Sequence, residues 1–208
     1  IMIGPSSSHT AGAIKIGLVA RRFAEGRFNR VVFRLHGSFA KTYKGHGTDR
    51  ALLAGVLGIS VDDLRVRDAF SIAREKGVDY VFEKCDLGNY HSNAVEVQIF
   101  RDDEMRFSLI GESIGGGQIN IAAVNDVGLA VSMEMPTLIV VHDDRVGVVA
   151  KLSNVLSEAR INIATLKVYR KGRGSEAFTI IETDQSITQD LKERIRDEVP
   201  SVRHLYAV

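Results

Sequence analysis

The sequence predicts a protein of the α+β class that is divided into two domains. Stretches with apolar residues at helical spacing alternate with short runs of β-branched and aromatic residues along the 208 residues. Near residues 130–136 this periodicity is lost, and the chain beyond has a pattern of its own. We therefore expect an N-terminal α+β domain over residues 1–132 and a second domain over residues 136–208.

Composition excludes several classes of protein. Apolar residues make up 45% of the chain and charged residues 25%, as in a soluble globular protein. The 27 basic residues are balanced by 26 acidic ones, so no positive field points to nucleic acid or to an anionic membrane. No apolar run is long enough for a membrane helix and no secretory leader pattern is seen. With its single cysteine, Cys85, the chain is expected in the reducing cytoplasm.

The opening segment combines small hydroxyl groups with one histidine: Ser6, Ser7, Ser8, His9 and Thr10. A helix is predicted directly after it, over residues 13–23. One of these hydroxyls is expected to cap that helix. A helix start that is rich in hydroxyls and free of bulky side chains also suits a carboxylate or a phosphate. The surplus of polar groups favours a ligand site, and a serine-rich cap on a surface helix is the alternative.

A second turn of the same kind follows a predicted strand over residues 30–38 and a short polar segment over residues 39–44. His46 lies between two glycines, and Thr48 and Asp49 are expected at capping positions of a second helix. An ordinary turn with an exposed histidine is the alternative. Two helix starts that each place histidine near threonine are less easily explained as accident.

The rest of the first domain is predicted to be mainly strands. We expect a helix over residues 67–76, strands over residues 78–83, 94–100, 105–113 and 118–124, and a polar turn around His91-Ser92-Asn93. Three glycines at 115–117 indicate a hinge or bulge rather than a phosphate cradle, because no lysine and no clear helix follow them. His36 and His204, placed inside strands, are interpreted as core or sheet-face residues.

The second domain has the order β-α-β-β-α-β. Strands are expected over residues 137–141, 161–169, 176–182 and 202–208, with helices over residues 148–160 and 188–198 and a loop over residues 142–147. This order is typical of a ferredoxin-like domain, in which two helices cover one face of an antiparallel sheet.

Three motifs carry a resemblance to a known family. They are Gly4-Pro5-Ser6-Ser7-Ser8-His9-Thr10, Gly45-His46-Gly47-Thr48-Asp49 and Ser113-Ile114-Gly115-Gly116-Gly117. They resemble the β chain of bacterial iron–sulfur L-serine dehydratase, and the C-terminal domain resembles an ACT domain, a small amino-acid-sensing module. The family commonly has a further segment, His-Pro-Asn, which corresponds to His91-Ser92-Asn93 here, so that this chain has Ser92 in place of the proline.

The resemblance implies that L-serine is converted to pyruvate and ammonia by loss of water, in amino-acid catabolism. It implies a 4Fe–4S cluster that is ligated by a partner α chain, and the single Cys85 agrees because one cysteine cannot hold such a cluster. No metal ligand is expected in this chain. The substrate carboxylate would be held by hydroxyls of the two helix starts: Ser6, Ser7, Ser8, Thr10 and Thr48. The other residues expected at the substrate site are Asp49, His91 and Asn93.

His9 and His46 are the expected catalytic residues, able to donate to the carboxylate or to relay a proton. Which group removes the α-proton is left open. Asp49 is expected to orient His46 or to cap its helix.

In the ACT domain the resemblance places an amino-acid effector between two subunits, against His142, Asp144 and Asn162. Asp144 stands where the family often has asparagine, and Val146 where it often has proline. A homodimer through this domain is expected, with or without effector binding. The alternative function is a non-catalytic serine-binding regulatory module, similar to the allosteric domains of phosphoglycerate dehydrogenase.

Overall fold

A computed structural model describes residues 7–24, 26–170 and 172–208 of the chain. The chain divides into two compact units, Ile1–Ser132 and Met133–Val208. None of the helices in the described ranges has the length and apolarity needed to cross a bilayer.

The first unit is built on a six-stranded sheet. Its strands are β1 (Arg30–Leu35), β2 (Asp79–Lys84), β3 (Ala94–Arg101), β4 (Glu104–Gly115), β5 (Gln118–Val124) and β6 (Val127–Val131). The spatial order is β2-β1-β3-β4-β5-β6, with β1 and β2 parallel and every other neighbouring pair antiparallel. Strand β6 was not predicted from the sequence. It follows a two-residue turn in which Asn125 and Asp126 both have positive φ, the geometry of a tight hairpin.

The described residues of this unit also form the α-helices α1 (Ala13–Phe23), α2 (Gly37–His46), α3 (Thr48–Val56) and α4 (Ala69–Glu75). A π-helical turn (Ser8–Gly12), called the π-turn below, precedes α1, and a 3-10 turn (Leu64–Asp68) precedes α4. Helices α1 and α3 meet backbone to backbone, because a Cβ atom on Gly55 would lie 2.2 Å from the carbonyl oxygen of Ile14. Helix α1 also packs on the sheet, where the Ile16 side chain fills the space above Gly111.

Helix α2 corrects two predictions. The strand expected over residues 30–38 ends at Leu35, and the polar segment expected over residues 39–44 is helical. The chain turns at Gly37, which has a φ of 55° and lies so close to the backbone of Ser92 that a Cβ would clash. Phe39 is fully buried and anchors one face of the helix, whose other residues are polar enough to hide the helical pattern.

The second unit has the predicted ferredoxin-like topology. Its elements are β7 (Thr137–Asp143), α5 (Val148–Glu158), β8 (Ile163–Arg170), β9 (Glu176–Thr183), α6 (Gln189–Glu198) and β10 (Val202–Ala207). The strands are antiparallel in the order β10-β7-β9-β8. A core that includes Leu138, Leu152 and Ile195 joins the sheet to both helices. His142 and Asp143, expected in a loop, continue β7 because they pair with Ala177 and Glu176.

Candidate active site

The π-turn places His9 in the interior of the first unit. The N–H of Gly12 bonds to the carbonyl of Ser7 at 3.1 Å, which winds the chain one residue wider than an α-helix. His9 and Thr10 are 7% and 5% exposed. The expected N-cap is wrong for Ser7, because its side chain makes no capping hydrogen bond and the chain is already helical there. Ser6 lies outside the described residues.

Ser113 of β4 holds the π-turn from the sheet side. Its buried hydroxyl donates to the carbonyl oxygen of Ser8 at 2.9 Å. Gly12 lies so close to this side chain that a Cβ would approach the Ser113 Oγ to 2.0 Å. Gly117, in the glycine turn after β4, lies close to Ala11, and a Cβ there would be 3.5 Å from the Ala11 Cβ. The third family motif therefore supports the first one structurally.

The His9 ring is surrounded by residues of α2. Its Nε2 lies 3.1 Å from the Oγ1 of Thr42 and 3.3 Å from the Oγ of Ser38. Its ring packs edge to face on Phe39 and on His46, with centroid distances of 5.2 and 4.7 Å. Burial lowers the pKa of His9, and the nearby charge of His46 lowers it further. The two histidines predicted from separate motifs thus form one pair in a largely desolvated place.

The turn between α2 and α3 contributes His46 and Thr48. His46 is the last residue of α2, Gly47 follows with a φ of 71°, and Thr48 begins α3. Thr48 is fully buried and its hydroxyl has no hydrogen-bond partner among the described residues, so it does not cap the helix as expected. The Nδ1 of His46 is likewise buried without a partner in that part of the chain.

Asp49 does not contact His46 by a hydrogen bond in the described part of the chain. Its Oδ1 accepts from the backbone N–H of Arg50 at 2.8 Å, within the first turn of α3. A carboxylate in this position stabilises the helix start through the free N–H groups. Burial raises the pKa of this carboxyl group, and the N–H and charge of Arg50 partly oppose that rise. Asp49 was predicted either to orient His46 or to cap α3, and the geometry favours the role at the start of α3.

The turn at residues 91–93 joins α2 to β4. The Ser38 N–H donates to the Ser92 carbonyl at 2.6 Å, and the Ser113 N–H donates to the Asn93 carbonyl at 3.0 Å. The exposed His91 accepts from the Asn93 N–H through its own Nδ1, at 3.1 Å. The Oδ1 of Asn93 is buried and has no partner within residues 7–24, 26–170 and 172–208. The turn therefore fixes the two residues, Ser38 and Ser113, that contact the π-turn and its histidine.

Unpartnered buried atoms are concentrated at this site. Among the described residues, four buried side-chain polar atoms lack a hydrogen bond: Arg30 Nε, His46 Nδ1, Thr48 Oγ1 and Asn93 Oδ1. Three of the four belong to residues that the sequence predicted as site residues. Such an atom costs about 1–3 kcal/mol unless a partner is supplied. An incoming polar ligand offsets that cost.

Sequence reasoning missed Ser38 and Thr42 as members of the site. The signal was present in their spacing, because Ser38, Thr42 and His46 follow one another at intervals of four residues. That spacing places all three on one face of a helix. This spacing did not lead to a helix prediction, because residues 39–44 were predicted to be a short polar segment.

The predicted effector residues of the second unit lie at opposite ends of its sheet. His142 is 2% exposed, with Nε2 at 2.8 Å from the Thr179 Oγ1 and Nδ1 at 2.7 Å from the Asp143 carbonyl. Asp144 accepts from the Gly174 N–H at 2.9 Å and from Arg170 at 3.2 Å. Both contacts lower the pKa of Asp144, the Gly174 N–H more strongly.

Asn162, at the other end, donates through Nδ2 to Asp184 at 2.7 Å, and its N–H donates to Gln185 at 2.9 Å. A ligand held between two copies of the domain remains compatible with this arrangement, whereas a small ligand that touches Asp144 and Asn162 of one copy is not.

The chain offers no set of iron ligands within its described residues. No three side chains of the types His, Cys, Asp or Glu converge there on a point that could hold a metal ion. Cys85 is half-buried and its thiol faces the Leu35 carbonyl at 3.6 Å. Burial raises the pKa of that thiol, which disfavours the thiolate that iron requires. The described residues of this chain do not fit a 4Fe–4S cluster.

Comparison with known proteins gives two family matches and close relatives over nearly the whole chain. The family described as "Serine dehydratase beta chain" matches residues 1–76, and the ACT domain family matches residues 137–199. The L-serine dehydratase beta chain of Peptoniphilus asaccharolyticus is 39% identical over 196 residues, covering 94% of this chain and 88% of that protein. A probable L-serine dehydratase beta chain of Bacillus subtilis is 41% identical over 202 residues, covering 97% and 91%.

A more distant match extends beyond these dehydratases. The D-3-phosphoglycerate dehydrogenase of Methanocaldococcus jannaschii is 26% identical over 194 residues. The match covers 93% of this chain but 36% of that enzyme. The match thus extends over both units of this chain and corresponds to about a third of the length of that dehydrogenase.

Proposed function

Since the chain belongs to the L-serine dehydratase beta-chain family, we propose that it is one subunit of an L-serine ammonia-lyase that releases pyruvate and ammonia from L-serine. The observation that carries this proposal is the pair of histidines at 4.7 Å, next to buried polar atoms without partners. Serine brings a carboxylate, an amine and a hydroxyl, which are the groups that such atoms lack. A purely structural helix start would leave no unpartnered Thr48 hydroxyl.

Substrate binding is assigned to the two helix starts and the turn beside them. The hydroxyls of Ser6, Ser7, Ser8, Thr10 and Thr48 and the amide of Asn93 would hold the carboxylate so that the Cα–H bond is presented in one orientation. Asp49 and His91 would act at longer range, because the Oδ1 of Asp49 is engaged with Arg50 and the Nδ1 of His91 with Asn93. The glycines around His46 leave the α2–α3 turn room for a small adjustment on binding, since a Cβ on either would meet nothing within 4 Å.

The proton chemistry is assigned to His9 and His46. A lowered pKa keeps His9 neutral at pH 7, so that its ring accepts a proton or a hydrogen bond. The ring of His46 lies edge on to it, and in this proposal His46 exchanges a proton with His9 or donates to the substrate. Loss of water from serine needs both removal of the α-proton and departure of the hydroxyl group. This chain supplies groups for the first of these steps.

We assign the 4Fe–4S cluster of the family to a partner α chain, because the described residues of this chain do not fit it. The name "beta chain" of the two relatives supports the existence of such a partner. Isolated and anaerobically reconstituted, this chain should bind no cluster and make no pyruvate. Cys85→Ser should leave the activity of the complex nearly unchanged. A stable iron–sulfur absorbance together with pyruvate formation by the isolated chain would contradict the two-chain assignment.

The test of the site is substitution of each histidine in the anaerobic complex. His9→Ala and His46→Ala should each lower kcat by about 10²-fold or more, the scale of a general acid–base or oriented donor group. Thr48→Val should mainly raise KM, because its hydroxyl would hold the carboxylate in the ground and transition states alike. His204→Ala is the matched control, since His204 is exposed in the second unit. Near-normal turnover in both histidine variants, with complex and cluster intact, would contradict the catalytic assignment. The two segments would then be ordinary helix starts.

A regulatory module that binds serine without chemistry is the second candidate function. The match of D-3-phosphoglycerate dehydrogenase to 93% of the chain favours it. A sensor needs the carboxylate cradle but not a desolvated histidine pair. Co-expression with a cysteine-rich partner and a serine-to-pyruvate assay separates the two, because a sensor would bind serine and form no pyruvate.

A further inference from the structure

Thr42 of α2 has one proton to donate, and two neighbouring atoms can accept it: the Ser38 carbonyl oxygen and, in one tautomer, the Nε2 of His9. Its Oγ1 lies 2.9 Å from the carbonyl oxygen of Ser38, one helical turn earlier. A carbonyl oxygen can only accept, so this contact is a hydrogen bond only if Thr42 donates its proton there, and otherwise the lone pairs of the two oxygens would face each other. Toward the Nε2 of His9, 3.1 Å away, the same oxygen then presents only lone pairs.

A ring nitrogen that faces a lone pair at hydrogen-bond distance must itself carry the proton. We propose that Thr42 is a positioning residue that accepts the Nε2–H of His9 and so holds the neutral ring with its lone pair on Nδ1. The tautomer is a property of this chain alone, and its consequence for turnover rests on the proposed function. Ser38, at 3.3 Å, does not decide the matter, because its hydroxyl can either donate or accept.

The framework around Thr42 is rigid enough to enforce this choice. Gly37 lies against the Ser92 backbone, and the Ser38 N–H donates to the Ser92 carbonyl at 2.6 Å, which fixes the start of α2. Phe39, fully buried, sets the rotation of the helix about its axis. Thr42 is therefore directed at His9 by the packing of the helix.

The second unit contains a histidine of the opposite tautomer. The Nδ1 of His142 faces the Asp143 carbonyl at 2.7 Å, and that acceptor requires a proton on Nδ1. Its Nε2 then accepts from the Thr179 hydroxyl at 2.8 Å. One spectrum of the full chain should thus contain both tautomers. His142 serves as the internal reference for His9.

The test is long-range ¹H–¹⁵N correlation of the ¹⁵N-labelled full chain at a pH well above 6.5, where imidazoles are neutral. The His9 signals are assigned by their loss in His9→Gln. We expect a pyrrole-type shift for His9 Nε2 and a pyridine-type shift for its Nδ1, with the reverse for His142. Thr42→Val has the same shape but no acceptor, so His9 should become a mixture of tautomers. Thr42→Ser should restore the single tautomer, and Ser38→Ala should leave it unchanged.

Two results would overturn the proposal. One is a wild-type His9 that is protonated on Nδ1, and the other is a Thr42→Val chain with the wild-type tautomer. Circular dichroism checks that the variant folds, and Thr42→Ala replaces it if it does not. In the complex with the partner chain, Thr42→Val should lower kcat about tenfold with KM unchanged, and Thr42→Ser should recover it. If the wild-type complex makes no pyruvate, the proposed function is contradicted. The tautomer assignment is tested independently, because the spectra of the chain alone decide it.

Discussion

The two units treat their candidate polar groups in opposite ways. In the first unit, His46, Thr48 and Asn93 each bury a polar atom that has no partner within the described chain. In the second, His142 and Asp144 are fully occupied by neighbours of their own domain. The first arrangement carries a free-energy cost that a ligand removes, whereas the second is satisfied without one. Unpartnered buried atoms therefore distinguish a site from a set of residues that merely matches a family pattern.

The distance between the candidate groups gives the same contrast. His9 and His46 come from segments 37 residues apart and meet at 4.7 Å. Asp143 pairs with Glu176 and Ile163 pairs with Thr183, which places Asp144 and Asn162 more than about 23 Å apart along the sheet. A site in the first unit can be complete within one chain. A site in the second needs another copy.

In the first unit, the largest loss of stability is expected from a substitution at the contact between α1 and α3. In Gly55→Ala the new Cβ would lie 2.2 Å from a backbone oxygen that cannot move aside without moving α1. We expect the free energy of unfolding to fall by about 1–3 kcal/mol or more. Urea denaturation measures it. Gly45→Ala is the control, because nothing lies within 4 Å of its added Cβ, and equal midpoints for the two variants would show that the close contact is not needed.

Turnover should depend on pH through His9. Because the folded pKa lies below 6.5, serine turnover in the complex should persist as the pH falls through 6.5 and decline only below it. Stability has the same sign, since between the two pKa values the unfolded chain binds more protons. The contribution is thus complete above 6.5 and is lost as the pH falls toward the folded pKa. An acidic limb centred at or above 6.5 in a kcat/KM profile would contradict the assignment of His9.

The second unit is tested through serine and the dimer. If two ACT domains hold serine between them, serine at about 100 times its Kd should stabilise the chain by about 2.7 kcal/mol, measured as a rise in Tm. Asn162→Ala should reduce that rise by the share that the ACT site contributes and leave the dimer intact by light scattering, because the Asn162 side chain is exposed. A monomer at micromolar concentration would contradict the dimer. A rise of equal size in Asn162→Ala would contradict serine binding at Asn162 and would leave the first unit as its source.

The smallest effect is expected at Asp144. The Gly174 N–H and Arg170 lower its pKa, so its contribution to stability is present above its ordinary value of 3.8 and is lost as the pH falls through the folded pKa. Asp144→Asn should therefore lower the urea midpoint slightly at neutral pH and not at low pH. Asp190→Asn, at an exposed helix start, provides the comparison. A large loss would mean that Asp144 organises the β8–β9 hairpin.

Prediction from sequence succeeded where one periodicity dominated. The second unit alternates strands and amphipathic helices of ordinary length, and its six elements follow the expected order. The strands β2 to β5 were also predicted, because their β-branched and aromatic residues lie between clear turn signals.

Prediction from sequence failed where the local structure depends on tertiary contacts that the sequence does not show. Helix α2 contains two glycines, Gly37 and Gly45, and buries only Phe39, so its pattern is too weak to be seen without the neighbouring turn at Ser92. The hydroxyls of Ser7 and Thr48 have the residue types of caps but not the geometry, since the chain is already helical at both. The tautomer of His9 depends on a hydrogen bond inside a helix that the sequence did not reveal.

The π-turn has a consequence for how this protein can vary in length. A π-helical turn contains one residue more than the α-helical turn it replaces. Loss of Ala11, which lies between the motif and Gly12, would restore regular winding and rotate the residues before it by about 100° relative to α1. His9 would then face away from α2, although every side chain of the motif were still present. In alignments of this segment, a one-residue gap is therefore a stronger sign of lost function than a substitution.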